Sequence, residues 1–461
     1  MNALWLALVT LPLVPLLAPA ADAPKPPSEL GDYVAKKDDS FSWKLADKRE
    51  IDAGTIYEID LVSQTWQGVK WDHKLQVVVP KGAKPQSTML LWNQGGRPNA
   101  QSGLLAMQLA EKVKAPVAFL YGVPKQPLYV DAKTGTLTTT PPNPEKPSEG
   151  ALTEDALIAE TFVRFLDTKD GAWPLLFPMV KSVVKAMDSL QAFAKEEWKF
   201  EVKSFVVTGA SKRGWTSWLT AASGDTRVKA IAPIVIDTLN MPQQMKNQVN
   251  AFGKPSEMIK DYTNRKLVPI PDTSDAQKLW QMIDPWVYRD RLTVPKMIIN
   301  GANDPYWPLD ALNSYWDDLK GDKWILYVPN AGHDLREADK DGKRELVPAR
   351  AVNTLAAFAH CQTFDKKMPG MTWVCDEKEG VCRLEVTSTA KITTTRVWAA
   401  ESPTRDFRPA RWTAQENVKL PATVTAPEKG FRAFFAETEY DLDGLKFTLS
   451  TQLRILEAKK K

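Results

Sequence analysis

Beyond its first segment, the chain alternates short apolar runs with longer amphipathic stretches. Residues 55–66 and 73–80 alternate β-branched or apolar positions with polar ones, the period of a half-buried strand. The runs at 89–92, 117–121, 205–207, 231–236, 297–299 and 325–328 are nearly continuous in apolar residues, which marks strands buried on both faces. Between them, 179–193 places Met179, Val180, Val183, Met187, Leu190 and Phe193 on one helical face, and 346–358 carries a similar stripe. Strands alternating with helices predict an α/β fold, a mostly parallel sheet covered on both faces. Two long insertions interrupt the rhythm: 131–150, which includes the Pro-rich stretch 141–147, and 237–291. Long segments in compact enzymes serve as lids or binding loops, and 237–291 is expected to be a lid. The period changes near Lys366. Short alternating segments at 372–375, 382–386, 393–399, 431–436 and 445–455 predict a C-terminal all-β, sandwich-like module over 370–457, after a catalytic domain over 30–368.

The N-terminus adds a different signal. Residues 3–17 form an apolar run, followed by Ala18 and Ala20 at the spacing of a signal-peptidase site, with no Lys or Arg before the run. Residues 1–20 are expected to be a secretory signal peptide, cut after Ala20 or Ala23, and the protein to be secreted or periplasmic. Pro12, Pro15 and the short apolar length argue against an uncleaved spanning anchor, and no second run is long enough to cross a bilayer. The 60 basic and 56 acidic residues leave a formal charge of +4, which argues against a dedicated nucleic-acid binder. Of three cysteines, Cys375 and Cys382 flank a turn-like stretch and are the expected disulfide of an exported protein; Cys361 is expected to be a free, buried thiol. No CxxC or His/Cys cluster exists, so neither a metal nor a cofactor is expected.

The candidate chemistry begins at Phe205-Val206-Val207-Thr208-Gly209-Ala210-Ser211-Lys212-Arg213-Gly214-Trp215. An apolar strand runs through Gly-x-Ser into a helix-like stretch, the order a nucleophile elbow needs to lift the serine Oγ above the sheet edge. The pattern departs in one place: Arg213 stands two residues after the serine, where glycine is usual, and Gly214 follows. A hydroxyl nucleophile needs an imidazole base. His73 opens an early strand and His360 ends an apolar helix, where structural roles suffice. His333 instead sits in Asn330-Ala331-Gly332-His333-Asp334, a loop after the last apolar strand. The acid is expected at Asp304, after the run 297–299 and a Gly301 turn; Asp237, after the run 231–236, is the alternative. The order Ser211, Asp304, His333 is that of α/β-hydrolases. The oxyanion donors are expected from the N–H of Lys212 and from Gln94-Gly95-Gly96, where two glycines let the backbone approach. Lys212, Arg213, Trp215, Tyr306 and Trp307 are candidates to bind substrate, and the two cations hint at an anionic one. Core packing or ion pairing is the alternative for each of the five.

Several segments together resemble the PhoPQ-activated pathogenicity-related protein family. They include Asp32-Tyr33-Val34-Ala35, Leu61-Val62-Ser63-Gln64-Thr65-Trp66, Thr153-Glu154-Asp155-Ala156, Gly209-Ala210-Ser211-Lys212-Arg213-Gly214-Trp215, Gly301-Ala302-Asn303-Asp304 and Arg405-Asp406-Phe407-Arg408. The resemblance implies an exported α/β-hydrolase-like protein with a C-terminal β-module, and makes Arg213 a family trait; it implies no substrate. The Ser-Lys-Arg element also resembles the Ser-Arg-x-Gly element of glucuronoyl esterases. The expected function is an exported serine hydrolase forming an acyl-enzyme on Ser211. An esterase is favoured over a serine peptidase, and the substrate is a small-molecule, peptide or saccharide ester. The alternative is a secreted signalling or virulence-related protein that uses the scaffold without catalysis.

Overall fold

The computed structural model describes residues 25–459. The expected signal peptide lies outside them. After α1 (Glu29–Ala35), three long strands form an antiparallel meander: β1 (Ser42–Ile51), β2 (Gly54–Trp66) and β3 (Val69–Pro80). The alternating rhythm then gives β4 (Thr88–Asn93), α2 (Ala100–Val113), β5 (Val117–Leu120), a small hairpin of β6 (Tyr129–Val130) and β7 (Leu137–Thr138), α3 (Glu154–Thr168) and α4 (Leu176–Glu197). It continues through β8 (Ser204–Ala210), α5 (Lys212–Ala222) and β9 (Val228–Ile234). The insertion expected as a lid follows with α6 (Met241–Phe252), α7 (Lys260–Asn264) and α8 (Ser274–Ile283); then come β10 (Lys296–Gly301), β11 (Lys323–Val328) and α9 (Ala349–Thr363).

The main sheet has nine strands in the order β1-β2-β3-β5-β4-β8-β9-β10-β11. From β5 to β11 every neighbour is parallel. The exchange of β5 and β4 in the order, followed by sequential parallel strands, is the α/β-hydrolase arrangement with one extra antiparallel strand at its edge. The continuous apolar runs read from the sequence are the central strands: β4, β5 and β10 are buried at every position. Helices α3, α4 and α5 pack in the core on one face, and α2 and α9 in the core on the other.

The C-terminal segment is all-β. β12 (Met371–Lys378) and β13 (Val381–Ser388) form a hairpin whose two turn residues, Glu379 and Gly380, both have positive φ, 52° and 71°. That is the type I′ geometry that matches strand twist. Cys375 and Cys382 are disulfide-bonded across this hairpin, and Cys361 is free and buried. β14 (Thr394–Ser402), β15 (Thr413–Gln415), β16 (Ala422–Thr425), β17 (Phe431–Leu442), β18 (Leu445–Ser450) and β19 (Arg454–Glu457) complete two sheets, β12-β13-β16 and one built on β14 and β17. The stretch expected as one strand over 445–455 divides into β18 and β19, which pair with opposite ends of β17. The module shares the hydrolase core: Tyr440, Phe447 and Leu449 pack in the same buried cluster as Leu355 and Phe358 of α9. Glu437, fully buried, is held by Arg350 of α9 (2.5 Å) and by Arg396 (3.2 Å).

Candidate active site

Three loops at the C-terminal edge of the parallel strands bring the expected residues together. Ser211 follows β8 with φ 59° and ψ −124°, a left-handed conformation that a non-glycine residue adopts only when its surroundings hold it there. Its neighbours explain how. A Cβ on Gly209 would stand 2.7 Å from Arg213 Cβ and 2.6 Å from Asn93 Nδ2; one on Gly214 would stand 2.6 Å from Ile236 and 2.9 Å from the Ile234 carbonyl. The turn therefore needs glycine before the serine to admit Arg213, and glycine at 214 to seat α5 against β9. The position two after the serine tolerates arginine because its side chain leaves the turn.

His333 Nε2 lies 2.9 Å from Ser211 Oγ, and His333 Nδ1 lies 2.7 Å from Asp304 Oδ2. A carboxylate can only accept, so Nδ1 carries the proton and Nε2 offers its lone pair to the serine hydroxyl. The other oxygen of Asp304 accepts from the Tyr306 backbone N–H (2.8 Å). The Tyr306 ring lies over the imidazole, with centroids 4.2 Å apart. The acid and histidine loops are interlocked: Asn303 N–H donates to the Ala331 carbonyl (3.0 Å), and a Cβ on Gly301 would meet the Gly332 carbonyl at 2.4 Å.

Asp237 is placed elsewhere. It is buried, accepts from Asn300 Nδ2 (2.8 Å) and from the Tyr315 hydroxyl, and shares a small cavity with the far side of Asp304. Burial pushes its carboxyl up to about 6. The acid that His333 contacts is thus Asp304. The other two histidines have structural partners. His73 bonds Ser63 Oγ (2.9 Å) and the Tyr121 carbonyl (3.0 Å), with burial lowering it to about 4; His360 bonds the Val113 carbonyl (2.8 Å).

The N–H of Lys212, the first residue of α5, has no partner among the described residues and points from a helix N-terminus. Gly96 takes positive φ (65°) in the loop after β4. Gly95 has a more specific reason to be glycine: a Cβ there would stand 2.1 Å from the Arg213 guanidinium.

The cations differ from expectation. Arg213 turns inward, donating through both Nη atoms to Glu154 (2.6 and 2.7 Å) and through Nε to the Val123 carbonyl (2.5 Å). It reaches no part of the cavity beside Ser211, so in place of the substrate-clamping role expected for it Arg213 forms an ion pair with the partly exposed Glu154. Lys212 does line that cavity, but its ammonium lies 2.6 Å from Asp155 and over the Tyr306 ring. Burial alone would lower the lysine; Asp155 outweighs it and holds the group above its usual range. The adjacent carboxylates Glu154 and Asp155, at the start of α3, thus answer Arg213 and Lys212 in register. They lie within the Thr153-Glu154-Asp155-Ala156 segment, but nothing in the sequence ties them to the elbow.

The cavity beside Ser211 and His333 holds about 470 Å³ of empty space, its mouth included. Trp215, Tyr306 and Trp307 line it, and the insertion expected as a lid supplies Met241, Met245, Ile259, Tyr262, Val268 and Trp280. Trp215 is fixed by its indole N–H donating to the Ile283 carbonyl (2.7 Å).

One set of contacts was invisible in the sequence. The segment between β14 and β15 clamps both loops of the candidate triad. Asn303, next to Asp304, points its Nδ2 at the carbonyls of Phe407 (3.2 Å), Arg408 (3.2 Å) and Ala410 (2.7 Å). Asn330, three residues before His333, exchanges two hydrogen bonds with the backbone of Trp412 (3.0 and 2.8 Å). Among the described residues no cluster of three or more His, Cys, Asp or Glu could hold a metal ion, and no helix is long and apolar enough to cross a membrane.

A curated relative, Autocrine proliferation repressor protein A of Dictyostelium discoideum, is 30% identical over 450 residues, covering 89% of this chain and 85% of the relative. Similar solved structures include an acetyl xylan esterase from Paenibacillus sp. R4, 14% identical with a TM-score of 0.43 over 66% of this chain and 87% of that one. Another is an S-formylglutathione hydrolase from Agrobacterium tumefaciens, 13% identical with a TM-score of 0.43 over 69% of this chain and 99% of that one. Residues 30–408 match the PhoPQ-activated pathogenicity-related protein family, to which the chain therefore belongs.

Proposed function

We propose that the protein is an exported serine hydrolase that cleaves carboxylic esters through an acyl-enzyme on Ser211. The observation that carries this reading is the continuous hydrogen-bond chain from Ser211 Oγ through His333 to Asp304, built on a left-handed turn between β8 and α5. In the first half-reaction Ser211 Oγ attacks the ester carbonyl while His333 Nε2 takes the hydroxyl proton. The developing imidazolium is stabilised by Asp304. The oxyanion receives the free Lys212 N–H at the positive end of α5, with a second donor from Gly95 or Gly96, since the Gln94 N–H is held by the Leu120 carbonyl (2.7 Å). Collapse of the tetrahedral intermediate breaks the bond to the alcohol, which leaves with the proton from His333. Water, deprotonated by His333, then releases the acid and restores Ser211.

The test is labelling with a fluorophosphonate probe. Wild type is expected to label and Ser211→Ala not to; a folded wild-type protein that never labels refutes the proposal. A second reading has one observation in its favour. The Dictyostelium relative is named as a proliferation repressor, and a secreted regulator could use this scaffold without turnover. That reading predicts no labelling of the folded protein.

A further inference from the structure

The cavity beside Ser211 deepens the ester-hydrolase reading and rests on it. Its wall has three properties that together select a ligand. First, it carries no free charge. The one cation among the described residues that reaches it, Lys212, is paired with Asp155 Oδ2 at 2.6 Å, and the other oxygen of Asp155 accepts from the Tyr262 hydroxyl at 2.9 Å. A substrate carboxylate entering here would have to displace an optimally placed buried partner. Second, five aromatic rings bound it (Trp215, Tyr262, Trp280, Tyr306 and Trp307), with Met241 and Met245 as adaptable filler from the lid. Third, Thr238 Oγ, Trp280 Nε1 and Trp307 Nε1 belong to wall residues at least nine-tenths buried, and none has a hydrogen-bond partner among the described residues. Packing closes those atoms off, so the wall presents apolar surface and no spare ion.

A second cleft meets His333 from its other side. It holds about 850 Å³ of empty space, its mouth included, and is lined by His333, by the polar Gln94, Gln101 and Arg336, and by a larger apolar set that includes Leu335 and Val352. Ser211 lines the first space and not the second, whereas His333 lines both. The acyl group stays covalently attached to Ser211 Oγ after the first step, and the alcohol departs with the proton from His333. We infer that the aromatic cavity beside Ser211 is the acyl site, that it takes an uncharged acyl group of aromatic size, and that the alcohol half lies along the second cleft.

Burying one methylene fully is worth up to about fourfold in specificity. For 4-methylumbelliferyl esters, kcat/KM should thus rise at least tenfold from acetate to benzoate, while the hemisuccinate, which carries a free carboxylate, falls below acetate. Met245→Trp, which fills the cavity, should reverse the benzoate-to-acetate ratio. Asp155→Asn, which frees Lys212, should raise the hemisuccinate-to-acetate ratio. Fluorophosphonate labelling of each variant separates loss of the site from loss of the machinery. If wild type labels but prefers acetate, or prefers the hemisuccinate, the acyl-site inference falls and the hydrolase reading stands. If folded wild type neither labels nor turns over any ester, both fall.

Discussion

Replacing Asn303 tests whether the C-terminal β-module positions the candidate triad. The Asn303 amide has two N–H bonds and faces three carbonyls. The Ala410 carbonyl at 2.7 Å takes one, and those of Phe407 and Arg408, both at 3.2 Å, share the other. In Asn303→Ala both donors vanish. The Phe407 carbonyl keeps the Ala410 N–H (3.0 Å), whereas those of the half-buried Arg408 and Ala410 lose their donor, so the loss is about two neutral hydrogen bonds plus part of the cost of two stranded acceptors, or roughly 1–3 kcal/mol. Spread over the unfolding entropy of a chain this long, that lowers Tm by only about 1–3 °C. The effect on chemistry should be larger, because Asp304 is the next residue and a displacement near 1 Å at a catalytic group can cost about 100-fold. The rate constant for fluorophosphonate modification of Ser211 reads this without a known substrate. It is expected to fall at least tenfold in Asn303→Ala. Asn303→Asp should fall further, since an anion of the same shape would face three carbonyl oxygens. Wild-type labelling rates in both variants would show that the module does not position the triad.

Three further outcomes follow from the same geometry. Asp304→Asn should lower the labelling rate by about 10⁴-fold, as loss of a triad carboxylate does when the imidazole tautomer is no longer fixed; Asp237→Asn should lower it less than tenfold, and the reverse order would move the acid to β9. Because burial raises Asp237 from 3.8 to about 6, the folded state holds its proton more tightly than the unfolded chain. Stability from this group is therefore full below pH 4, declines between 4 and 6 and levels off above 6, a loss of about 3 kcal/mol. Denaturant unfolding of Asp237→Asn should lack that component of the slope, although Asp284, raised by burial to about 7, keeps a decline of the same sign in both proteins. Gly209→Ala should label at less than a hundredth of the wild-type rate or fail to fold, because the new methyl would lie 2.9 Å from the backbone carbon of Arg213 as well as against two side chains; a folded, fully reactive variant would contradict the packing argument for the elbow.

What the sequence disclosed depended on whether the information was local. The central strands were readable because burial on both faces forces continuous apolar runs, and β4, β5 and β10 are buried throughout. Ser211, Asp304 and His333 were readable because each follows such a strand in a fixed order. β1 was not, since it is an edge strand whose residues are mostly exposed, and Lys48, Arg49 and Glu50 leave no alternation to detect. The break between β18 and β19 was hidden because Thr451, Gln452 and Leu453 are all buried, so the polarity pattern continues across it. The clamp on Asn303 joins residues more than 100 positions apart through backbone carbonyls, which have no sequence signature.

The cationic elbow shows how a local signal changes once its partners come into view. Lys212 and Arg213 beside a nucleophile suggest an anionic substrate when only the neighbouring sequence is considered. Yet two buried cations next to each other demand counter-charges, because desolvating either one alone costs several kcal/mol. The fold supplies them from a separate element: Glu154 and Asp155 enter α3 side by side and meet Arg213 and Lys212 at 2.6 Å each. The pairs tie α3, and with it one wall of the acyl cavity, to the first turn of α5, whose N-terminal Lys212 N–H is the proposed oxyanion donor. The same contacts that remove the free charge from the site thus fix the donor's position. On this reading Arg213→Ala should damage the elbow from behind, by leaving Glu154 unpaired and Gly95 unsupported, without altering which substrate charge is preferred; Asp155→Asn should alter that preference while leaving the elbow in place.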